Sequence, residues 1–246
     1  MSIKKLVSYK IRKNTTVFDL LFFLVFITTI ILSITLKEKK NLIYISPIVI
    51  LTIIIKYFSV VKKKLDPLFI IALLAFLFLN VISFYAYNKY FNTISLLTST
   101  YLILFSLILK KYLIKSRLKS FLSLSVVLGV LLVGYVIYAV VDLLIGQMPN
   151  SNLIFILICA VCLFIYSITF AIIYISDNYE NATILLASGV ATIFNLCLSP
   201  INEYFLYNQT FSVLILICHY MSLYLFMKFI TTTKIINPDD VKNKYF

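Results

Sequence analysis

The sequence predicts an all-α fold: a polytopic integral membrane protein of eight transmembrane helices, with both termini cytoplasmic. Three observations predict it. Of 246 residues, 62% are hydrophobic and only 13% charged, with a mean hydropathy of +1.05. A soluble domain is about 45–50% apolar and about 25% charged, so this chain has too little polar surface to coat a water-soluble fold. The apolar residues fall into eight runs of about 20, the length that crosses about 30 Å of hydrocarbon. The basic residues lie between those runs and mostly on one side of them. Four Gly and five Pro exclude a loop-rich or collagen-like chain.

The first run, 17–36, is too long for a cleaved signal peptide, and no A-x-A-like site follows it. The second, 42–61, carries Pro47 near its start. The third, 67–87, opens on Asp66-Pro67, with proline where the first helical turn tolerates it. The fourth, 93–110, and the seventh, 182–200, are short. The fifth, 120–145, and the sixth, 152–176, are separated by Met148-Pro149-Asn150-Ser151-Asn152, and the eighth covers 210–230. Pro47 and Pro200 both fall near helix ends rather than at midspan. No repeat or low-complexity tract divides the chain. The organisation is therefore a basic cytoplasmic segment at 1–16, one eight-helix membrane domain at 17–230, and a short cytoplasmic tail at 231–246.

The net charge of +13 has a direction. With the N-terminus inside, the inner segments hold five basic residues at 4–13, three at 62–64, five at 110–119 and four at 228–244, seventeen in all. The outer loops hold four: Lys37, Lys39, Lys40 and Lys89. Such a bias sets topology and meets anionic headgroups. It places the protein in the cell membrane as a multi-pass chain and leaves no basic module for nucleic acid. Cys159, Cys162, Cys197 and Cys218 all lie in apolar runs. C-A-V-C at 159–162 has ligand-like spacing, but no second Cys or His pair follows; these thiols read as small hydrophobes. No metal and no cofactor are expected.

Polar groups inside hydrocarbon are costly, which makes them the places to look for function. Lys56 lies about 8 Å from the inner end of its helix, within snorkelling reach, and reads as an interfacial anchor. Asp19 and Asp142, near helix ends, read as interfacial too. Asn80, Tyr101, Asn195 and His219 are more informative. On four different helices they fall roughly 8–14 Å below the outer surface, as a polar cavity in the outer half of the bundle requires. The same residue types also bond helices together, at about 0.6–2 kcal/mol each. His219, the only histidine, suits either a general base or a packing role.

The arrangement resembles the YhhN-like family, the eight-helix lysoplasmalogenases, over nearly the whole chain. Ser188-Gly189 and the run I-F-N-L-C-L-S-P-I-N-E-Y-F at 193–205 resemble that family's seventh helix. L-I-L-I-C-H-Y-M-S-L-Y-L-F at 214–226 resembles the eighth, L-I-Y-I-S-P at 42–47 the start of the second, and I-A-L-L-A-F-L-F-L-N-V at 71–81 the third. The departures fall on the family's polar positions. Ser46 replaces the lysine of a Lys-Pro pair. Asn80 and Asn195 stand where aspartates are expected, and Tyr101 near an expected histidine. Leu223 falls near an expected glutamine. Tyr220 is kept, with His219 in place of a second tyrosine. The candidate cavity-lining set is thus Asn80, Asn195, Tyr101, His219, Tyr220 and Ser46.

The resemblance implies hydrolysis of the vinyl-ether bond of lysoplasmalogens, which needs one group to protonate the enol ether and another to activate water. An amide can hold water or substrate but cannot supply or take the proton, so two asparagines disable the inherited mechanism. Three readings follow. One is a YhhN-like hydrolase whose acids lie elsewhere, or which pairs His219 with Asp142 or Glu203. Another is a non-catalytic relative that binds a membrane lipid or lysolipid, or serves a structural role. The third, a small transporter, usually has a site at midspan in helices broken by Gly or Pro, a pattern missing here.

Overall fold

A computed structural model describes residues 17–36, 39–61, 65–113, 124–176 and 178–235. The basic segment at 1–16, the end of the tail, and most of the loop lysines used to orient the chain lie outside the described residues. All regular structure among the described residues is helical. The helices are α1 (Val17–Thr35), α2 (Ser46–Val60), α3 (Pro67–Ala86), α4 (Phe91–Lys110), α5 (Leu124–Ile145), α6 (Asn150–Ile175), α7 (Ala182–Tyr204) and α8 (Gln209–Thr232), with a 3-10 segment at Lys39–Tyr44. Among the described residues, eight spans are long and apolar enough to cross a membrane. Residues from alternate helix ends line one cavity, so successive helices run antiparallel. The α1–α2, α3–α4, α5–α6 and α7–α8 turns therefore share one end, the hairpin end, and the other connections share the opposite, terminal end.

Two boundaries differ from the sequence reading. Residues 42–44 belong to the 3-10 segment, and the α-helix starts at Ser46 with Pro47 in its first turn. The seventh helix is not short: it runs 23 residues and continues past Pro200 to Tyr204. Proline at 200 lacks one N–H donor but lies in the last turns, where little helix remains to be disrupted. The fourth helix is 20 residues, a full span.

The bundle is arranged around α4 and α8, half of each of which is buried. α8 packs against α7, α1 and α2, and α4 packs between α3 and α6. α5 is peripheral, resting on α6 and α7 with about 11% of its span buried. α1 shows how the pattern works. It buries Asp19, Phe22, Phe26 and Thr29, a single seam at three- and four-residue spacing, while Leu20, Leu24, Ile27 and Ile31 are exposed. In hydrocarbon such exposure carries no penalty, so close packing and internal hydrogen bonds select the seam. Where α3, α4, α6 and α8 meet, the rings of Phe105 and Phe226 stack at 3.9 Å, flanked by Phe69 and Tyr166.

Each end has its own polar ties. At the terminal end Asp66 caps α3 by accepting the Leu68 N–H at 3.2 Å, pairs with Lys111, and donates its own N–H to the Tyr57 hydroxyl at 2.9 Å. The Tyr179 hydroxyl donates to the Tyr112 carbonyl at 3.2 Å. Burial pushes the Tyr112 phenol up to about 12, helped by neighbouring Tyr179 and Asp66. At the hairpin end Asn208 caps α8 by accepting the Thr210 N–H at 2.8 Å. Asn202, 1% exposed, accepts the Asn208 N–H at 2.8 Å and donates to Ser212 at 2.9 Å. The α7–α8 hairpin is thereby closed by side chains that would otherwise be unpaired in the membrane.

The reading of Lys56 as a snorkelling anchor is corrected. Lys56 and Asp19 are each 8% exposed, and they form an ion pair between α2 and α1. The Tyr224 hydroxyl of α8 donates to Asp19 at 2.6 Å and receives from Lys56 at 3.2 Å. Desolvating two charges is costly unless both are paired and hydrogen-bonded, and this arrangement satisfies both conditions. Sequence spacing hid it because the partner lies 37 residues away on a neighbouring helix.

Two glycines offer a test of packing. A Cβ at Gly189 of α7 would lie 2.4 Å from the ring of Phe170 on α6, whereas one at Gly129 of α5 meets nothing within 4 Å. Phe170 is itself 3% exposed and has little freedom to withdraw. Gly189→Ala is expected to destabilise the detergent-solubilised protein by about 1–3 kcal/mol. Gly129→Ala should be neutral or slightly stabilising through helix propensity. Thermal unfolding of the two variants side by side checks the pair; equal effects would contradict the α6–α7 contact.

Candidate functional site

Six polar side chains from four helices form one connected cluster in the hairpin half of the bundle. Ser46 opens α2, and its hydroxyl donates to Asn80 Oδ1 of α3 and is hydrogen-bonded to the Tyr220 hydroxyl of α8. Asn80 Nδ2 lies 3.3 Å from that hydroxyl and 3.2 Å from His219 Nε2. On the other face of the imidazole, Asn195 Nδ2 of α7 lies 3.2 Å from His219 Nδ1, and Ser199 donates to Asn195 Oδ1 at 3.4 Å. Phe76 stacks on the His219 ring at 4.2 Å. Helical spacing explains the convergence. Phe76 and Asn80 are four residues apart on α3, as are Asn195 and Ser199 on α7, so each pair shares a face.

The imidazole is held between two amides, and this fixes its chemistry. No carboxylate is among its hydrogen-bond partners, and an uncompensated charge at this depth is expensive. His219 is therefore neutral, with one N–H and one bare nitrogen. It donates to one asparagine and accepts from the other, so the two amides face it in opposite senses. The two orientations of an amide occupy nearly the same atomic positions, and hydrogen-bond chemistry selects between them. With Asn80 Oδ1 occupied by Ser46, the Asn80 amino group faces Nε2. For Nδ1–H to donate to Asn195, the Asn195 amide must turn its carbonyl toward the ring, reversing the orientation in which Ser199 donates to Oδ1.

Asn80, Asn195, Ser199 and His219 of the cluster form the floor of a cavity of about 180 Å³. Asn80, Asn195 and His219 reach its wall, together with hydroxyls from Ser83, Ser95, Thr98 and Ser212 and with apolar side chains such as Leu79, Ile137, Leu163 and Leu216. The lining comes from the C-terminal parts of α1, α3, α5 and α7 and the N-terminal parts of α4, α6 and α8, which confines the cavity to the hairpin half. Counted from the hairpin ends of their helices at 1.5 Å per residue, Asn80, Asn195 and His219 lie about 9, 14 and 15 Å deep. Glu203, Tyr87 and Tyr207 line the cavity near helix ends, and Tyr207 is 60% exposed. Burial pushes the Tyr87 phenol well above its ordinary value of 10, with Tyr204 and Glu203 adding to the effect.

Of the six sequence candidates, the structure brings five together. Asn80, Asn195 and His219 line the cavity. Ser46 and Tyr220 do not: they stand behind Asn80 and orient it, because each is fully buried at the α2–α3–α8 contact. Tyr101 departs from the set. It is 1% exposed but packs edge-on against Phe76 and Phe105, and its hydroxyl makes no hydrogen bond. Depth along a helix placed it correctly, but its azimuth turns it behind Phe76, away from the floor. Sequence reasoning missed Ser199 as a wall residue; Glu203, weighed there as a partner for His219, lines the wall near the end of α7. The i, i+4 relation of Ser199 to Asn195 was the available signal. Asp142 is exposed and does not line the cavity. Among the described residues, no group of three or more His, Cys, Asp or Glu side chains is placed to hold a metal ion.

No protein-family model, curated protein or solved structure matches the chain.

The hydrogen-bond count separates the two asparagines. Asn80 has Ser46, Tyr220 and His219 around it, whereas Asn195 has His219 and Ser199. Leaving a buried polar partner unsatisfied costs about 1–3 kcal/mol. Asn80→Ala is expected to lower stability by more than Asn195→Ala, with both inside or slightly above that range. Unfolding midpoints in detergent decide it, and the reverse order would contradict the network.

Proposed function

We propose that this chain is a multi-pass protein of the cell membrane, a non-hydrolytic relative of the YhhN-like lysoplasmalogenases, whose hairpin-half cavity binds a membrane lipid or lysolipid. One observation carries the reading: Asn80 and Asn195, the positions where the resemblance expects aspartates, lie on two helices and flank one imidazole at the wall of a single cavity. The cavity exceeds the roughly 150 Å³ of an engineered apolar cavity that accommodates benzene. Its mixture of aliphatic walls with amides and hydroxyls suits an amphiphile.

The same residues argue against turnover. Vinyl-ether hydrolysis needs a proton donor and a base that activates water, and neither amide is either. His219 has both ring nitrogens turned to amides. Glu203 sits one residue from the end of α7 while His219 is about 15 Å deep, so the pairing of Glu203 with His219 has no support. The basic residues at 4–13, 62–64, 110–119 and 228–244 support an orientation with the terminal end in the cytoplasm. The cavity then belongs to the outer half of the bilayer.

The purified protein is expected to release no aldehyde above background from a lysoplasmalogen. The double substitution Asn80→Asp with Asn195→Asp is expected to raise release above wild type in a folded preparation. Aldehyde assay of both proteins, with unfolding curves as the folding control, checks this. Robust wild-type turnover that persists in Asn80→Ala/Asn195→Ala would overturn the site assignment.

A further inference from the structure

We propose that the ligand group seated on the cavity floor is uncharged: a hydroxyl, ester or amide head on a single apolar chain, rather than a phosphate, carboxylate or ammonium group. The proposal rests on the lipid-binding reading of the cavity and narrows it to one chemical class.

The argument starts from what the floor can offer. Its polar groups are two carboxamides, a neutral imidazole and the hydroxyls of Ser95, Thr98 and Ser199. Each is a dipole that can donate or accept, and none carries a formal charge. Among the described residues lining the cavity, Glu203 is the only aspartate, glutamate, lysine or arginine, and it lies at the hairpin end rather than on the floor. A charged head placed beside His219, about 15 Å along α8, would lose its hydration with no opposite charge to receive it. The penalty for an ion at such depth applies to either sign.

The protein shows elsewhere how it treats charge at depth. Lys56 is buried only against Asp19, with Tyr224 bonded to both. No such pair exists on the cavity floor among the described residues. An uncharged head has the opposite balance. A hydroxyl can accept from one amide and donate to the other's carbonyl or to a serine, replacing each water bond with a bond of similar strength. The aliphatic side chains of Ile137, Leu163 and Leu216 then receive the adjoining methylenes.

The test holds chain length constant and varies only the charge of the head. Full-length protein in lipid nanodiscs is titrated at neutral pH with 1-octanol, octylammonium and octanoate, and saturable stabilisation against thermal unfolding gives an apparent affinity for each. The expected result is saturable binding of octanol, about ten- to a hundredfold tighter than either ion. Ala160→Trp, which fills the wall, is expected to abolish octanol binding. Asn195→Asp, which places a carboxylate on the floor, is expected to shift the preference toward octylammonium and serves where Ala160→Trp does not fold. Equal affinity for all three probes, or tighter binding of either ion by wild type, overturns the neutral-head proposal and leaves the lipid-binding reading standing. Absence of saturable binding by any probe overturns both. Octanol binding unchanged in a folded Ala160→Trp variant overturns the placement in this cavity.

Discussion

A polar side chain in hydrocarbon must find its partner inside the protein, and in this bundle that requirement organises the helices. Three tiers of hydrogen bonds run along α8, which takes part in each. At the hairpin end Ser212 receives from Asn202. In the middle His219 and Tyr220 meet Asn80, Asn195 and Ser46. Toward the terminal end Tyr224 joins Asp19 and Lys56. Apolar packing gives little direction where lipid is as apolar as leucine. The tiers supply that direction, because rotating α8 about its axis would leave several buried groups unpaired at once. The small residues on α7 serve the same end: Ser188 donates to the Ser222 carbonyl at 2.7 Å, drawing α7 and α8 together.

The middle tier differs from the terminal-side one in facing open space, as the hairpin-end pair of Asn202 and Ser212 also does. Asp19, Lys56 and Tyr224 bond to one another away from the cavity, as a structural tie does. Asn80, Asn195 and His219 also reach a cavity wall, leaving them available to a ligand. A site built from dipoles binds and orients, while proton transfer needs groups that change charge. Neutral imidazole between amides is therefore suited to recognition. Two amides keep the size and hydrogen bonding of two carboxylates without their acid, so such a site can hold a ligand without moving a proton.

Much of the architecture was legible in the sequence because a bilayer allows few solutions. Apolar runs of about 20 residues gave eight helices, and Asp66-Pro67 marked one start to the residue. Depth was legible too, since a fixed rise per residue places Asn80, Asn195 and His219 in one layer. Azimuth was not. Tyr101 shares the layer but turns behind Phe76, and Lys56 turns inward to a partner on α1 rather than outward to the interface. Both errors have one cause: helices apolar on all sides give no amphipathic signal to say which face is buried. The seventh helix seemed short because Pro200 was read as its end, although the last turns of a helix tolerate a proline that the middle does not.

The central claim is that His219 is a neutral bridge, donating to one asparagine and accepting from the other. Solid-state or solution NMR of the protein with 15N-labelled histidine tests it most directly, since His219 is the only histidine in the chain. At neutral pH the account predicts two well-separated ring-nitrogen signals, one protonated and one bare, that merge or shift when Asn80 or Asn195 is changed to alanine. Two protonated nitrogens, or signals indifferent to both substitutions, would contradict it.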